Sequence, residues 1–345
     1  MNMFFLRVVL LVISLLAVDS FTSIVSNTLP RVDAATGEIL DIHDGSTIRI
    51  GDTFYWYGAS YGSCVEMSSG CASVKLGACG FNANHTVSLA TSTDLVNWNL
   101  VGVVLDVSAR PEGILFGPWV AQSATTGLFV MWTNILPVVN GGGDFDASRY
   151  VVATSIKPEG PFVTVVANVT GLAYNKLPDS PSIFVDDNGS GYIAFTHEDS
   201  HTNNVQELTS DLLGPKIGGM VSPTIGANNN EGVLMFKRSG IYYVGFGQCC
   251  CFCSAGSNVQ LWMSNTPTGT YTLAGNLMTS NVWGAQTGGV WFTGIDYVLF
   301  GDRWQSSPDK LKSHDFSYMT PFAFNADGTV NEIATTFQKN VSISY

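Results

Sequence analysis

Charge is scarce in this chain, and positive charge is scarcest. Asp, Glu, Lys and Arg make up 12% of the 345 residues, with 15 Lys and Arg against 27 Asp and Glu, for a formal net charge of −12. Phosphate backbones and anionic membrane surfaces are held by Lys and Arg. The balance therefore argues against nucleic acid and membrane partners, and it suits an uncharged substrate. Helical periodicity is nearly missing beyond the N-terminal segment. After Val18 no apolar run is long enough to span a bilayer. Disorder is excluded too, because 46% of the residues are hydrophobic.

Finger-type metal spacing is also lacking. The seven cysteines fall in two groups, Cys64, Cys71 and Cys79 in one loop-like segment, and Cys249, Cys250, Cys251 and Cys253 in the run CCCFC. Cys250 and Cys253 satisfy CxxC formally, yet no histidine follows at finger distance. Disulfides are the preferred reading for an exported protein. The odd count leaves at least one thiol unpaired or bonded to another chain, and the connectivity stays open.

Export is itself an expectation from the N-terminus. Arg7 supplies a charged start, Val8 to Val18 an apolar stretch, and Asp19-Ser20 a small or polar end, which together read as a secretory signal over residues 1–20. Four sequons agree, at Asn84, Asn168, Asn188 and Asn340. Residues 34–345 are expected to form a single domain, secreted and monomeric.

What the chain does contain is glycine, 36 residues, roughly a tenth against a usual ~7%, and short strand pairs joined by tight turns. Ile48 to Gly58 reads as strand, turn at Gly51-Asp52, strand. Trp119-Val120-Ala121, a turn at Thr125-Thr126-Gly127, and Leu128 to Trp132 repeat the plan. Ser182 to Val185 with Tyr192 to Thr196 is a third copy. Leu234 to Phe236 with Ile241 to Val244 is a fourth, and Gly289 to Phe292 with Tyr297 to Gly301 a fifth. Each is followed by one or two further strands, among them Val87 to Ser92, which alternates apolar and polar residues. Five copies of about four strands predict an all-β, five-bladed β-propeller. A sandwich is the runner-up, but it would not repeat the hairpin so regularly. In a propeller the innermost strands face one central pocket, so residues opening them meet despite wide separation in sequence.

Two carboxylates stand at such openings, Asp44 and Glu231. Asp44 to Tyr55, DGSTIRIGDTFY, resembles the first-blade motif of glycoside hydrolase family 43, in which an aspartate opens the innermost strand. Ser92 to Trp98, STDLVNW, resembles its S-x-D-L-x-x-W signature. Glu231 with Phe236 to Tyr243, FKRSGIYY, resembles its fourth-blade motif. The likeness covers roughly residues 41–335. It is nearest to the exo-β-1,3-galactanase-like branch, which has a histidine where His43 stands, a glutamine at Gln286, and a G-D-R-W segment at Gly301 to Trp304. The resemblance implies a glycosidase that cuts a cell-wall-type polysaccharide (galactan, arabinan or xylan) by inversion. It implies Glu231 as acid, Asp44 as base and Asp179 as the carboxylate that tunes the acid. In the branch, the aspartate at the Asp44 position is usually glycine and the glutamine holds the water; this chain keeps both.

Inversion needs two carboxyls on opposite sides of the scissile bond, with a third near the acid keeping it protonated by like-charge repulsion. Sugar rings are bound by aromatic platforms and planar polar groups, which makes Trp119, Trp283 and Trp304 stacking candidates and Gln286, His43 and Arg303 hydroxyl binders. No organic cofactor is implied; a structural calcium in the central channel is known in some relatives, and no motif here encodes it. The chain departs from the branch at Ala59, at Phe116 and at Ser180, each of which stands where the branch carries a carboxylate; an alignment through Arg110-Pro111-Glu112 is the alternative for the second. These departures motivate a competing reading, a carbohydrate-binding propeller without catalysis. His197-Glu198-Asp199-Ser200-His201 looks like a metal motif but follows a strand rather than lying on a helix, and reads as a solvated loop.

Overall fold

The computed structural model describes residues 21–66, 79, 81–140, 142–175, 177–248, 258–279, 286–333 and 337–345. The segment read as a signal, Trp283, Cys71 and the CCCFC run lie outside the described residues. Among the described residues there is no α-helix, and hence no helix able to cross a membrane.

Five antiparallel sheets follow one another along the chain. The first blade is His43–Ile50, Thr53–Ser60, Thr86–Ser92 and Asn99–Leu105. The second is Ile114–Gln122, Phe129–Leu136, Arg149–Ser155 and Val163–Val166. The third has Pro178–Val185, Gly191–His197 and Asn203–Glu207. The fourth has Asn230–Arg238, Ile241–Gln248, Val259–Ser264 and Thr272–Met278. The fifth has Gln286–Phe292, Tyr297–Arg303 and Phe316–Phe322. The first strand of each blade touches the first strand of the next, and the fifth returns to the first, closing the five-bladed ring.

Blades three and five differ from the expected four strands, and each covers its edge otherwise. In blade three the segment from Pro215 to Ile225 runs beside Asn203–Glu207 through isolated bridges at Leu208–Pro215, Gln206–Val221 and Asn203–Ile225. Proline at 215 and 223 lacks the N–H that a regular ladder needs. In blade five a two-stranded ribbon of Thr22–Ser26 and Asn340–Ser344 packs against Phe316–Phe322. Asn27 ties it on, its side chain donating to Met319 O (2.8 Å) and accepting from Met319 N–H (2.9 Å). The fold thus begins before residue 34, and strands from the two ends of the described chain close the edge that an open sheet would leave unpaired.

Packing within and between blades is aromatic, as where Trp56 of blade one meets Phe300 of blade five edge-on at 5.6 Å. Trp98, from the STDLVNW turn, is fully buried and meets Trp56 edge-on, with ring centroids 5.3 Å apart. Asp94 shapes that turn by accepting from Val96 N–H and Asn97 N–H. This segment therefore holds the blade together, far in role from any chemistry. Burying one such side chain contributes about 2–3 kcal/mol.

Candidate active site

All five innermost strands break register near their first residues. His43 and Ser46 face Ala59 and Tyr57; Phe116 and Trp119 face Asn134 and Trp132; Pro178 and Pro181 face His197 and Phe195; Glu231 and Leu234 face Gly247 and Gly245; Thr287 and Gly289 face Gly301 and Phe300. Each is a one-residue bulge, which bends a strand and re-aims its side chains. In the first blade glycine is obligatory, because a Cβ at Gly45 would lie 2.0 Å from Tyr57 O. Asp44 beside it takes a left-handed backbone, φ 50°, which costs an L-residue roughly 1–2 kcal/mol. Two hydrogen bonds hold it there. Its N–H donates to Asp302 Oδ2 (2.8 Å), and its Oδ2 accepts from Gly117 N–H (2.9 Å).

The bulges bring Asp44, Asp179 and Glu231 to one cleft of about 100 Å³, where Glu198 joins them from the loop after Gly191–His197. It is lined by Asp44, Asp179, Glu198 and Glu231, by Asn134 and Ser180, and by Phe81, Phe116, Phe145 and Leu136. The aromatic wall is continuous, with Phe81 lying 5.6 Å from Phe116 and 6.3 Å from Phe145, centroid to centroid. A larger hollow of about 430 Å³ beside Arg149 and Asn168 contains no carboxylate, so the chemistry belongs to the smaller one. Below the cleft the central channel narrows between Gly45, Gly117, Trp119, Pro181, Gly232 and Gly288.

Crowding of acids sets the charge state. Burial pushes the Asp44 carboxyl up to about 8, and the nearby Asp302 and Asp179 charges add to this against the Gly117 hydrogen bond. Asp179 is pushed up to about 7 by burial and then by Glu231. Glu198 rises to about 8 by burial and then by Asp179. The opposite partner is His201, whose Nε2 lies 2.9 Å from Glu231 Oε1. That hydrogen bond is the main reason its pKa lies above the ordinary imidazole value.

The one-residue offset of Asp179 from the family pattern finds its reason in the bulge. Asp179 and Ser180 both fall between the paired residues Pro178 and Pro181, and both line the cleft. Phe116 also lines it, meeting Phe81 edge-to-face where the branch has a glutamate. Arg110 and Glu112 do not supply a substitute. Arg110 is buried and donates to the carbonyls of His85, Ala83 and Gly113, while Glu112 is exposed and off the cleft. Ala59 is fully buried against Tyr57 and Tyr61.

The sugar-contact candidates are mostly placed elsewhere. His43 is buried one layer behind Asp44, with Nδ1 3.4 Å from Asp302 Oδ1 and Nε2 3.2 Å from Ser313 O. It orients the carboxylate that holds Asp44, and its ring is out of reach of a ligand. Trp304 is buried, with Lys312 Nζ 3.5 Å from its ring centre. Trp119 sits in the channel and donates from Nε1 to Ile183 O (3.0 Å). Arg303 bonds Asn27 O and stacks on Phe337 at 4.4 Å. Of these only Trp119 follows a bulge, where strand parity is reset. Gln286 opens its strand in register with Asp302.

Glu198 and His201, read as a solvated loop, come instead to the carboxyl cluster. The signal was their position just after the second strand of a blade, the end that faces the cleft. Among the described residues no group of three or more His, Cys, Asp or Glu is arranged to hold a metal ion. Among the described residues Cys64 and Cys79, 15 apart in sequence, form a disulfide ahead of Phe81.

The model of glycosyl hydrolases family 43 matches residues 39–329. No curated protein is significantly similar in sequence. Among solved structures, a family 43 β-1,3-galactosidase superposes with TM-score 0.72 at 21% identity, covering 93% of this chain and 63% of that one. An exo-β-1,3-galactanase from Clostridium thermocellum does so with TM-score 0.72 at 24% identity, covering 89% and 64%. A second family 43 β-1,3-galactosidase, solved with galactodeoxynojirimycin, gives 0.72 at 19% identity, covering 91% and 100%. At these identities the likeness is one of fold, and the chain spans under two thirds of the first two.

Proposed function

The chain belongs to glycosyl hydrolases family 43 and is a glycosidase, and from that premise we propose that it is exported and releases galactose from the ends of β-1,3-linked galactan by inversion. The observation that carries this reading is the meeting of Asp44, from blade one, and Glu231, from blade four, in one cleft with Asp179 beside them. Glu231 gives its proton to the leaving oxygen. Asp179 repels charge on Glu231 and so favours its protonated form. Asp44, once ionised, takes a proton from the attacking water. The Phe81, Phe116 and Phe145 wall offers the ring an apolar face. The cleft is small, about 100 Å³, which favours a chain end over an internal site. Galactose is favoured by the activities named for the structural relatives. Export is supported by the Cys64–Cys79 disulfide and by the four sequon asparagines, all exposed.

The test is a screen of β-1,3-galactan, arabinan and xylan with the first-formed anomer followed by NMR. Release of α-galactose is expected. β-Galactose as the first product would refute inversion, and release of only arabinose or xylose would refute the sugar. Glu231→Gln should lower turnover by about 10²–10⁴-fold, the worth of a general acid, with the fold intact. Sugar binding without reducing-end release on any substrate would favour a binding propeller.

A further inference from the structure

His201 lies on the loop after the second strand of blade three, and its place is fixed from three sides. His201 N–H donates to His197 O (2.8 Å), closing the turn, and His197 N–H donates to Thr202 O (2.9 Å) across it. Asn230 N–H, the residue before Glu231, donates to His201 O (3.0 Å). The backbone at His201 is left-handed, φ 48°, a conformation in which histidine is among the better-tolerated residues. The loop of one blade is thus pinned to the first strand of the next, and the imidazole Nε2 ends 2.9 Å from Glu231 Oε1.

We propose that His201 is the positioning residue of Glu231, holding its carboxyl in place and balancing the charge it acquires when it protonates the leaving oxygen. The proposal rests on Glu231 being the acid. As the glycosidic C–O bond breaks, the Glu231 O–H bond breaks with it and the proton passes to the leaving oxygen. The carboxylate left behind is stabilised by the imidazolium at hydrogen-bond distance. The other groups facing the pair are acids: Asp179 on the first strand of blade three, Glu198 on the same loop, and Asp44 across the cleft. They keep His201 charged and oppose charge on Glu231. Among the described residues that line the cleft there is no lysine or arginine, and His201 is the cation at hydrogen-bond distance from Glu231.

Two measurements test this on the full chain. The first is an NMR titration of His201 in the wild type and in Glu231→Gln. Its pKa should fall by about 1 unit when the carboxylate is removed. The second is the pH profile of kcat/KM for His201→Ala and His201→Gln. In His201→Ala the alkaline limb should move up by about 1 unit while kcat falls about 10-fold, the worth of one charge-assisted hydrogen bond. His201→Gln, which keeps a donor but cannot titrate, should recover part of kcat and retain the moved limb. A His201 titration unchanged by Glu231→Gln would overturn the pairing, and a His201→Ala profile superimposing on the wild type would overturn its role. If His201→Ala does not fold, the titration and the glutamine variant decide. No sugar release with the titration shift intact would refute Glu231 as the acid and leave the pair standing.

Discussion

Asp44 is held in a state that opposes the protein's stability at the pH where it would act, and replacing it with asparagine exposes both sides of that conflict. Its carboxyl is raised from 3.8 to about 8 in the folded chain. Between those values the folded state binds a proton that the unfolded state has lost. Stability from this group is therefore greatest below pH 4 and falls as pH rises to about 8. A shift of four units corresponds to about 5–6 kcal/mol at full strength. Asp44 is only half-buried, so solvent screening reduces this to roughly 2–3 kcal/mol. Asparagine copies the protonated acid: its Oδ1 can accept from Gly117 N–H, and it carries no charge to repel Asp302 or Asp179. Asp44→Asn should match the wild type near pH 4 and exceed it near pH 8.5. At about 1.4 °C per kcal/mol for a chain of this length, the gain in Tm is about 3–4 °C. The assay is calorimetric melting of both proteins across that range, with turnover measured alongside. Turnover should fall by about 10²–10⁴-fold with the loss of the base. A Tm difference constant to within about 1 °C across the range would refute the protonated state, and full activity would transfer the water to Gln286.

Two other substitutions probe the frame around the cleft. Gly45→Ala should cost about 3 kcal/mol or more and lower Tm accordingly, because its Cβ meets backbone at 2.0 Å and 2.7 Å. Gly51→Ala, with φ 59° and nothing within 4 Å, should cost only about 1 kcal/mol and serves as its control. Cys64→Ser opens a disulfide of sequence separation 15. It should lower stability by about 3 kcal/mol, seen as a fall in Tm that a reductant reproduces in the wild type, and it should raise KM by loosening the loop that leads to Phe81.

The repeat of hairpins was legible because each one is local. Turn residues such as Ser239-Gly240, with φ 49° and 80°, sit between apolar runs, and five such units admit few closed arrangements. The convergence of Asp44 and Glu231 followed from that closure alone. What sequence could not convey is the bulge. By register Glu231 corresponds to His43, and Asp44 to Asp179 and Gly232, so the acid and base stand one residue apart in their blades. An unbulged strand would turn residues one apart to opposite faces. The bulge bends the strand so that Glu231 ahead of it and Asp44 within it reach the same cleft, and it lets Asp179 and Ser180 share a wall. Past the bulge, parity is set anew, as at Trp119; His43, ahead of its bulge, and Trp304, just beyond the second strand of blade five, carry family-like identities yet lie in the packing. The same local reading failed at His201 for the opposite reason. Nothing in HEDSH marks it as more than a polar turn, since its partner is supplied by a strand about thirty residues away and by a backbone hydrogen bond between blades. The acids of this site are therefore placed by strand irregularity, and their charges are balanced across a blade boundary. A substitution that straightens one bulge should scatter the carboxyl cluster while leaving the propeller closed.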